Sequence, residues 1–328
     1  MTLAELLGIF YGLDITKTVR KYFSNKFKND YTTVNTVIKY DDLIHSLSLL
    51  EVVPRDTKAP ILKQDGFVRK TVEPDVIKGT QVITPEELSK MQAGQVETYI
   101  KGEKVNNSDI VYNRKMQALK IAYERTVEAM ATDLYLNGKL VFKNSGNEFT
   151  IGSDDEISVT EKQFTKKTEE FTTFLIDLIT KFEKENTVLP NTIEIGTDLF
   201  KYLMSDETFS RTIRTFNHGG INKGDNSEYP TFGLLNYQIK VLPLATGVDG
   251  KTIETKNLLI LSNDSEFTNV YAGLGVKEGD KVKMIEADVY INEKAEDDPV
   301  RQKITLQSAY MPIIPLPKRV KRYKVTFK

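Results

Sequence analysis

The sequence contains no cysteine and no tryptophan, and it has only two histidines, His45 and His218. Without cysteine the chain forms no disulfide, offers no catalytic thiolate and builds no cysteine-ligated zinc site. The two histidines lie far apart in the sequence, so a histidine-rich metal centre is not available. We therefore expect neither a metal nor a cofactor.

Long apolar runs and an excess of one charge are also missing. No segment approaches the ~20 apolar residues that cross a bilayer. The apolar N-terminal stretch carries Glu5 and lacks the basic region of a secretory signal. The chain has 45 Lys and Arg against 46 Asp and Glu, whereas proteins that coat nucleic acid usually carry a basic excess. We expect a soluble protein that is made in a cytoplasm, has no membrane partner and does not bind DNA tightly.

Catalytic signatures are equally scarce. The phosphate-binding pattern GxxxxGK[ST] does not occur. Gly273, Gly275 and Gly279 have the wrong spacing for a dinucleotide-binding loop and favour a turn between strands. His218 begins an HGG triplet that resembles the oxyanion loop of esterases, but the nucleophile pattern GxSxG is missing. A hydrolase that uses His218 is a minor alternative to a protein without catalytic activity.

The sequence does contain an ordered set of helix and strand signals. Apolar residues recur at steps of three and four over residues 108–137 and predict one long helix. Thr160 and Gln163 match a capping box and predict a second helix over about 161–185. The other predicted elements are an amphipathic arm over 1–30, strands over 31–53, a hairpin over 139–160, a strand and a helix over 192–204, and strands at 237–242 and 258–262. This order indicates an α+β protein without regular βαβ units.

Residues 54–90 differ in kind, because prolines interrupt short β-branched pieces. Pro54, Pro60, Pro74 and Pro85 all fall within this stretch. Proline removes a ladder hydrogen bond and is confined to strand edges and bulges. The pattern predicts an extended two-stranded excursion with little core of its own, and such a segment usually exists to contact something else.

Two other segments have more than one interpretation. The arm over residues 1–30 packs either on its own domain or on a neighbouring subunit. The last eleven residues, 318–328, hold six basic residues and no acid. They contact DNA, form an edge strand whose lysines prevent wrong pairing, or meet an acidic patch on a neighbouring subunit.

Taken in order, the motifs resemble the lambda-type phage major capsid family, the head protein E family. The opening carries TLAELL, VRKYFSNKF, TTVNTVIKYDD and LIHSLSLLEVVP. A proline-bounded loop follows, VEPDVIKGTQVITPEEL, and the later motifs are NLLILSNDSEFTNVYAGL and ITLQSAYMPIIPLP. The resemblance covers nearly the whole chain, although the Asn- and Gly-rich loop near 216–231 fits the family only loosely.

The resemblance implies the Hong-Kong-97-type capsid fold, an α+β fold with four named parts. These parts would be an N-terminal arm over 1–45, an E-loop over 46–100, a peripheral domain over 101–186 and 266–328 with its spine helix at 108–137, and an axial domain over 187–265.

The resemblance also implies a structural protein of the virion and not an enzyme. Subunits would assemble into hexamers and pentamers of an icosahedral shell around phage double-stranded DNA, without sequence-specific contact. The expected partners are a separate scaffolding protein, a portal and a decoration protein. The E-loop residues expected at the neighbouring subunit are Lys63, Arg69, Lys70, Pro74, Lys78 and Pro85. The alternative is a shell of the same fold with another cargo, such as an encapsulin-like compartment or a gene-transfer particle.

Overall fold

A computed structural model describes most of the chain. The described residues are 3–16, 18–44, 66–89, 99–100, 103–104, 107–142, 146, 148–150, 159–164, 169–207, 209–211, 222–223, 230–278 and 281–327. Their principal helices are α1 (Leu3–Gly12), α2 (Pro85–Ser89), α3 (Asn107–Asn137), α4 (Glu169–Asn186) and α5 (Thr197–Met204). Short 3-10 turns occur at Ser24–Lys26 and Pro317–Arg319.

The strands of the described residues form several separate sheets. In chain order they are β1 (Asn29–Thr32), β2 (Ile38–Ile44), β3 (Gly66–Val72), β4 (Ile77–Ile83), β5 (Tyr99–Ile100), β6 (Glu103–Lys104), β7 (Lys139–Val141), β8 (Glu148–Thr150), β9 (Val159–Phe164), β10 (Thr192–Ile195), β11 (Asn222–Lys223), β12 (Pro230–Leu234), β13 (Tyr237–Val241), β14 (Ala245–Thr246), β15 (Thr252–Ile253), β16 (Leu258–Ser262), β17 (Thr268–Tyr271), β18 (Leu274–Glu278), β19 (Lys281–Ile285), β20 (Tyr290–Asp297), β21 (Val300–Ser308), β22 (Tyr310–Ile313) and β23 (Val320–Phe327).

Helix α3 confirms the long helix predicted over residues 108–137. Its apolar stripe is buried along its length, and Val111, Met116 and Leu134 are fully inaccessible. Gly138 follows the helix with a φ of 66°, a conformation that glycine adopts without steric cost. Its N–H bonds the Leu134 carbonyl at 3.0 Å and closes the last turn.

The seven-stranded sheet separates two hydrophobic cores. Its order is β11-β12-β13-β10-β16-β23-β9. Successive side chains of a strand project to opposite faces. In β16, Ile260 joins the first core, which surrounds α3, whereas Leu259 and Leu261 join the second core beneath α4 and α5. The sheet therefore contributes one face to each of the two cores.

The basic segment near the C-terminus does not form an edge strand, so that interpretation was wrong. Strand β23 runs antiparallel to β16 and parallel to β9, with a neighbour on each side. Its charges are matched within the chain, since Lys321 pairs with Glu185 at 2.6 Å and Arg319 with Glu266 at 2.9 Å. Lys321 of β23 thus helps to hold the sheet to α4, whereas Arg319 belongs to the 3-10 turn before the strand.

Arg322 of β23 points into the subunit and is only 2% exposed. Its Nε donates to the carbonyl of Tyr135 at 2.8 Å and its Nη2 to that of Leu134 at 3.3 Å. These carbonyls end α3, where a cation is favoured by the helix dipole. Burial lowers the pKa of Arg322 to about 10, so the side chain stays charged near neutral pH.

The helix predicted over about 161–185 begins later than expected. Residues Val159–Phe164 form strand β9, and α4 starts at Glu169. The capping-box interpretation of Thr160 and Gln163 was wrong, because parallel pairing with β23 fixes these residues in a ladder. Hydrogen bonds to a distant strand override the local helix signal.

The boundary expected at residue 186 does not follow sheet membership. Strands β9 and β23 lie in the same sheet as β10–β13 and β16. Helix α4 contributes Phe171, Leu175 and Phe182 to the second core. Segments on both sides of the expected boundary therefore share one core.

We expect Arg322→Met to lower the free energy of unfolding by about 3 kcal/mol, because two carbonyls at the end of α3 lose a charged donor. Chemical denaturation of unassembled subunits measures the loss. The matched control is Lys324→Met in the same strand. The Lys324 side chain is half exposed, and its Nζ lies 3.5 Å from Glu161. That change should cost less than about 0.5 kcal/mol. Equal losses in both variants would contradict the structural role of Arg322.

Candidate intersubunit surface

The excursion predicted over residues 54–90 does not pair its own two described strands. Its first strand, β3, forms a β-hairpin with β2, which precedes the predicted range. The strands pair antiparallel from Ile38 opposite Val72 to Ile44 opposite Gly66. At the base of the hairpin Ile38 is buried, so this end is attached to the first core. Arg69 and Lys70 belong to β3, whereas Lys63 lies outside the described residues.

Strand β4 leaves the hairpin and joins the body of the subunit. It pairs antiparallel with β21 in the sheet β20-β21-β4, from Ile77 opposite Ser308 to Ile83 opposite Gln302. A Cβ on Gly79 would lie 3.3 Å from Leu119 of α3, which shows how closely the strand approaches the helix. The described part of the predicted excursion is thus one strand of a hairpin, β3, followed by one strand of the subunit body, β4.

A capping box anchors the end of the excursion. The backbone N–H of Glu87 donates to Thr84 Oγ1 at 3.4 Å, and that of Thr84 donates to Glu87 Oε2 at 3.3 Å. Pro85 fits the first position of α2, where no N–H is needed. Lys115 of α3 pairs with Glu87 at 2.8 Å, and this hydrogen bond lowers the pKa of Glu87. These contacts tie the end of the excursion to α3.

The predicted contact residues therefore differ in burial and in their distance from the base of the hairpin. Lys78 and Pro85 are exposed, and Pro74 is buried in the connection between β3 and β4. Arg69 and Lys70 lie further out on the hairpin. Pro74 is buried in the single chain, and the contact role of all these residues stays a prediction.

The N-terminal arm packs on its own subunit. Leu6 and Phe10 of α1 are buried in the first core. Lys120 of α3 donates to the carbonyls of Leu13 at 2.7 Å and Tyr11 at 3.3 Å. A cation that meets the free carbonyls at a helix C-terminus is stabilising. In the single chain, therefore, the arm packs on its own domain, which is one of the two interpretations of the sequence.

Glu128 of α3 holds the next part of the arm. Its carboxylate accepts the backbone N–H groups of Tyr22 at 3.0 Å, Phe23 at 2.8 Å and Ser24 at 2.9 Å. Ser24 Oγ also donates to it at 2.6 Å. Several donors on one carboxylate fix the local backbone, because each N–H would otherwise lose its partner on burial.

Glu194 joins the arm to the sheet and to α3. This carboxylate lies on β10 and is fully buried. It accepts hydrogen bonds from Tyr22 at 2.5 Å and Tyr135 at 2.6 Å, and it pairs with Lys26 at 2.7 Å. Burial, and then the charge of Glu194, raises the pKa of both tyrosine hydroxyls, so they remain donors. Lys26 Nζ also lies 4.7 Å from the centre of the Tyr135 ring.

Sequence reasoning missed this cluster. The available signal was one glutamate within the apolar strand TIEI, a position where a charge needs a buried partner. The partners come from residues 22, 26 and 135, which are distant in sequence. His218 lies outside the described residues, and among those that are described no group of three or more metal-ligating side chains occurs.

Comparison with solved structures identifies the fold. The chain is 16% identical to a protein assigned as a prophage capsid protein in Escherichia coli CFT073, with a TM-score of 0.61 and 99% of each chain covered. A phage-related protein of Bordetella bronchiseptica RB50 gives a TM-score of 0.51 at 9% identity, covering 98% of this chain and 96% of that one. The mature capsid of bacteriophage PhiM1 gives 0.50 at 10% identity, covering 96% and 90%. The protein has the Hong-Kong-97-type phage capsid fold.

The family follows from the sequence. The phage major capsid protein E family matches residues 15–325, and the chain belongs to this family. It is a shell protein of the virion, and the resemblance and the α+β fold class inferred from the motifs are confirmed. Curated protein sequences give no match. No helix in the described ranges is long and apolar enough to cross a membrane.

We expect Glu194→Gln to destabilise the subunit by about 3–5 kcal/mol, because it leaves the buried Lys26 without a counter-ion. The double variant Glu194→Gln/Lys26→Met removes both charges and should recover most of this loss. Denaturant titration of unassembled subunits measures both.

The control for the Glu194 variants is Asp198→Asn, which breaks an exposed pair with Lys201 at 3.5 Å and should change stability by less than about 0.5 kcal/mol. A Glu194→Gln subunit as stable as this control would show that the buried cluster does not hold the arm.

Proposed function

We propose that the subunits form hexamers and pentamers of an icosahedral shell around phage double-stranded DNA, and that hairpin β2–β3 of each subunit lies over the peripheral domain of the next. The observation that carries the contact is the hairpin itself. A two-stranded hairpin is at best marginally stable alone in water. Its base is attached to the first core through Ile38, and the two strands pair with each other from Ile38 opposite Val72 to Ile44 opposite Gly66.

The parts named from the family resemblance serve this assembly. We propose an arm over 1–45, an E-loop over 46–100, a peripheral domain over 101–186 and 266–328, and an axial domain over 187–265. The two cores on either side of the seven-stranded sheet support a division into two main units. We propose one change to these bounds. Helix α4 and strands β9 and β23 belong to the axial unit, because they share its core or its sheet.

Each subunit in this scheme makes a head-to-tail contact, donating a hairpin on one side and receiving one on the other. Heterologous contacts of this kind close into rings when the rotation between subunits allows it. Rings of five and six then close a shell. The net charge of −1 supports a shell that encloses DNA without binding it tightly.

Further proteins are expected at the shell. We propose a separate scaffolding protein, a portal and a decoration protein, with assembly in the cytoplasm of the bacterial host. The contents of purified shells test the cargo. DNA supports the phage shell, and an enzyme cargo would favour the compartment alternative.

The hairpin contact predicts that shortening β2–β3 abolishes shells and leaves the subunit folded. Asp41 stands opposite Arg69 in the hairpin register, so residues 42–68 can be replaced by an Asn-Gly turn that joins these two positions. The base pair of Ile38 and Val72 and the whole of β4 are kept. Sedimentation and negative-stain electron microscopy, under conditions in which the wild-type chain forms shells, measure the result.

The control for the shortened hairpin is the circular dichroism spectrum and melting temperature of the unassembled variant. Both should match the wild type, because the two cores retain their described side chains. Intact shells built from the shortened subunit would disprove the hairpin contact.

A further inference from the structure

A cavity of about 310 Å³ lies between the arm, α3 and the strands of the first core. Tyr11, at the end of α1, is 52% exposed, so the cavity reaches the surface of the subunit. Six aromatic side chains line it, and they are Phe10, Tyr11, Phe27, Tyr123, Tyr271 and Tyr310. Its remaining walls come mainly from α3, β17 and the segment before β20. The cavity therefore lies at the peripheral domain, where the proposed hairpin of a neighbour would arrive.

The charged residues of the cavity leave one negative charge. Its lining includes Glu124, Asp288 and Lys21, two carboxylates and one ammonium group. Lys21 pairs with Glu124 at 2.7 Å. Asp288 accepts the Tyr11 hydroxyl and, at 2.8 Å, the backbone N–H of Val289. Within the part of the chain that the structure describes, Asp288 has no cation at ion-pair distance.

The carboxylates near the cavity also act on Tyr271, one of its lining residues. Burial raises the pKa of Tyr271, and the charges of Asp30, Asp288 and Glu124 raise it further. Aromatic faces attract a cation within about 6 Å of the ring centre, and more strongly when the cation is removed from water. Lys120 Nζ already lies 5.4 Å from the centre of the Phe10 ring, so the other rings, together with the carboxylate of Asp288, are suited to one further positive side chain.

We propose that this cavity is a socket for the guanidinium group of Arg69 from the hairpin of the neighbouring subunit. The inference rests on the proposed hairpin contact and gives it a specific partner. Arg69 is the one arginine between residues 66 and 89. A planar guanidinium stacks on aromatic rings and binds a carboxylate with two parallel hydrogen bonds, whereas an ammonium group does neither.

Arg69 also has an acidic neighbour on its own hairpin, because Asp41 is its partner in the β2–β3 register. A single substitution of Arg69 can therefore act within the hairpin as well as between subunits. A double-mutant cycle with Asp288 separates these effects, since only a contact between the two positions makes their losses non-additive.

The test measures the critical subunit concentration for shell formation by sedimentation. Arg69→Ala and Asp288→Asn should each raise this concentration about tenfold or more, and the double variant should be no worse than either single one. Lys70→Ala, which removes the same charge one residue along β3, is the matched control and should raise it less than about threefold. Additive losses, or equal effects of Arg69→Ala and Lys70→Ala, would overturn the socket.

A charge swap covers the case in which the single variants form no shells at all. Arg69→Asp combined with Asp288→Arg should restore shells that each substitution alone abolishes, and failure of the swap in a subunit with a wild-type melting temperature would count against the socket. The two proposals fail differently. Suppose that the subunit with the shortened hairpin forms no shells, whereas the Arg69→Ala and Asp288→Asn subunits assemble like the wild type. The hairpin contact then stands and the socket is wrong.

Discussion

The buried carboxylate of Glu194 is the contact on which the arrangement of the subunit depends. It lies on the sheet between the two cores, and its partners Tyr22, Lys26 and Tyr135 come from the arm and from α3. Apolar packing stabilises the cores without preferring a direction. A charge removed from water must instead find every partner in place, because a partly satisfied network is costly. The arm, the helix and the sheet are therefore fixed in one relative orientation.

The sequence predicted the elements that one local pattern dominates. The apolar stripe predicted α3 within one residue, and the strands at 192–195 and 258–262 were also placed correctly. It failed where distant segments decide the structure. The capping-box pattern at Thr160 and Gln163 is compatible with a helix start, and only pairing with β23 selects the strand. The same pairing places the basic β23 inside a sheet, although its composition is typical of an edge.

The candidate surface shows the same division. The prolines predicted an excursion, but they do not reveal that β4 pairs with β21 while β2 pairs with β3. Pro74 is buried in the single chain, which the sequence pattern did not indicate. The aromatic cavity brings together residues from the arm, α3 and the strands beyond residue 268. Because these segments are distant in sequence, no local motif could have predicted it. Tertiary packing, and not the character of any one segment, creates these features.

The double attachment of the arm has a mechanical consequence. Residues 22–26 are held on one side by Glu128 of α3 and on the other by Glu194 of β10, so this short segment ties the helix to the sheet. A load that pulls the two apart acts on the ion pair of Glu194 together with the direct bonds of Tyr135 to this carboxylate and of Arg322 to the end of α3. In a water-excluded interior such contacts are strong and weaken once water enters. Separating the helix from the sheet would leave several buried charged groups without partners, so the two elements are expected to move as one body in the wall of a closed container.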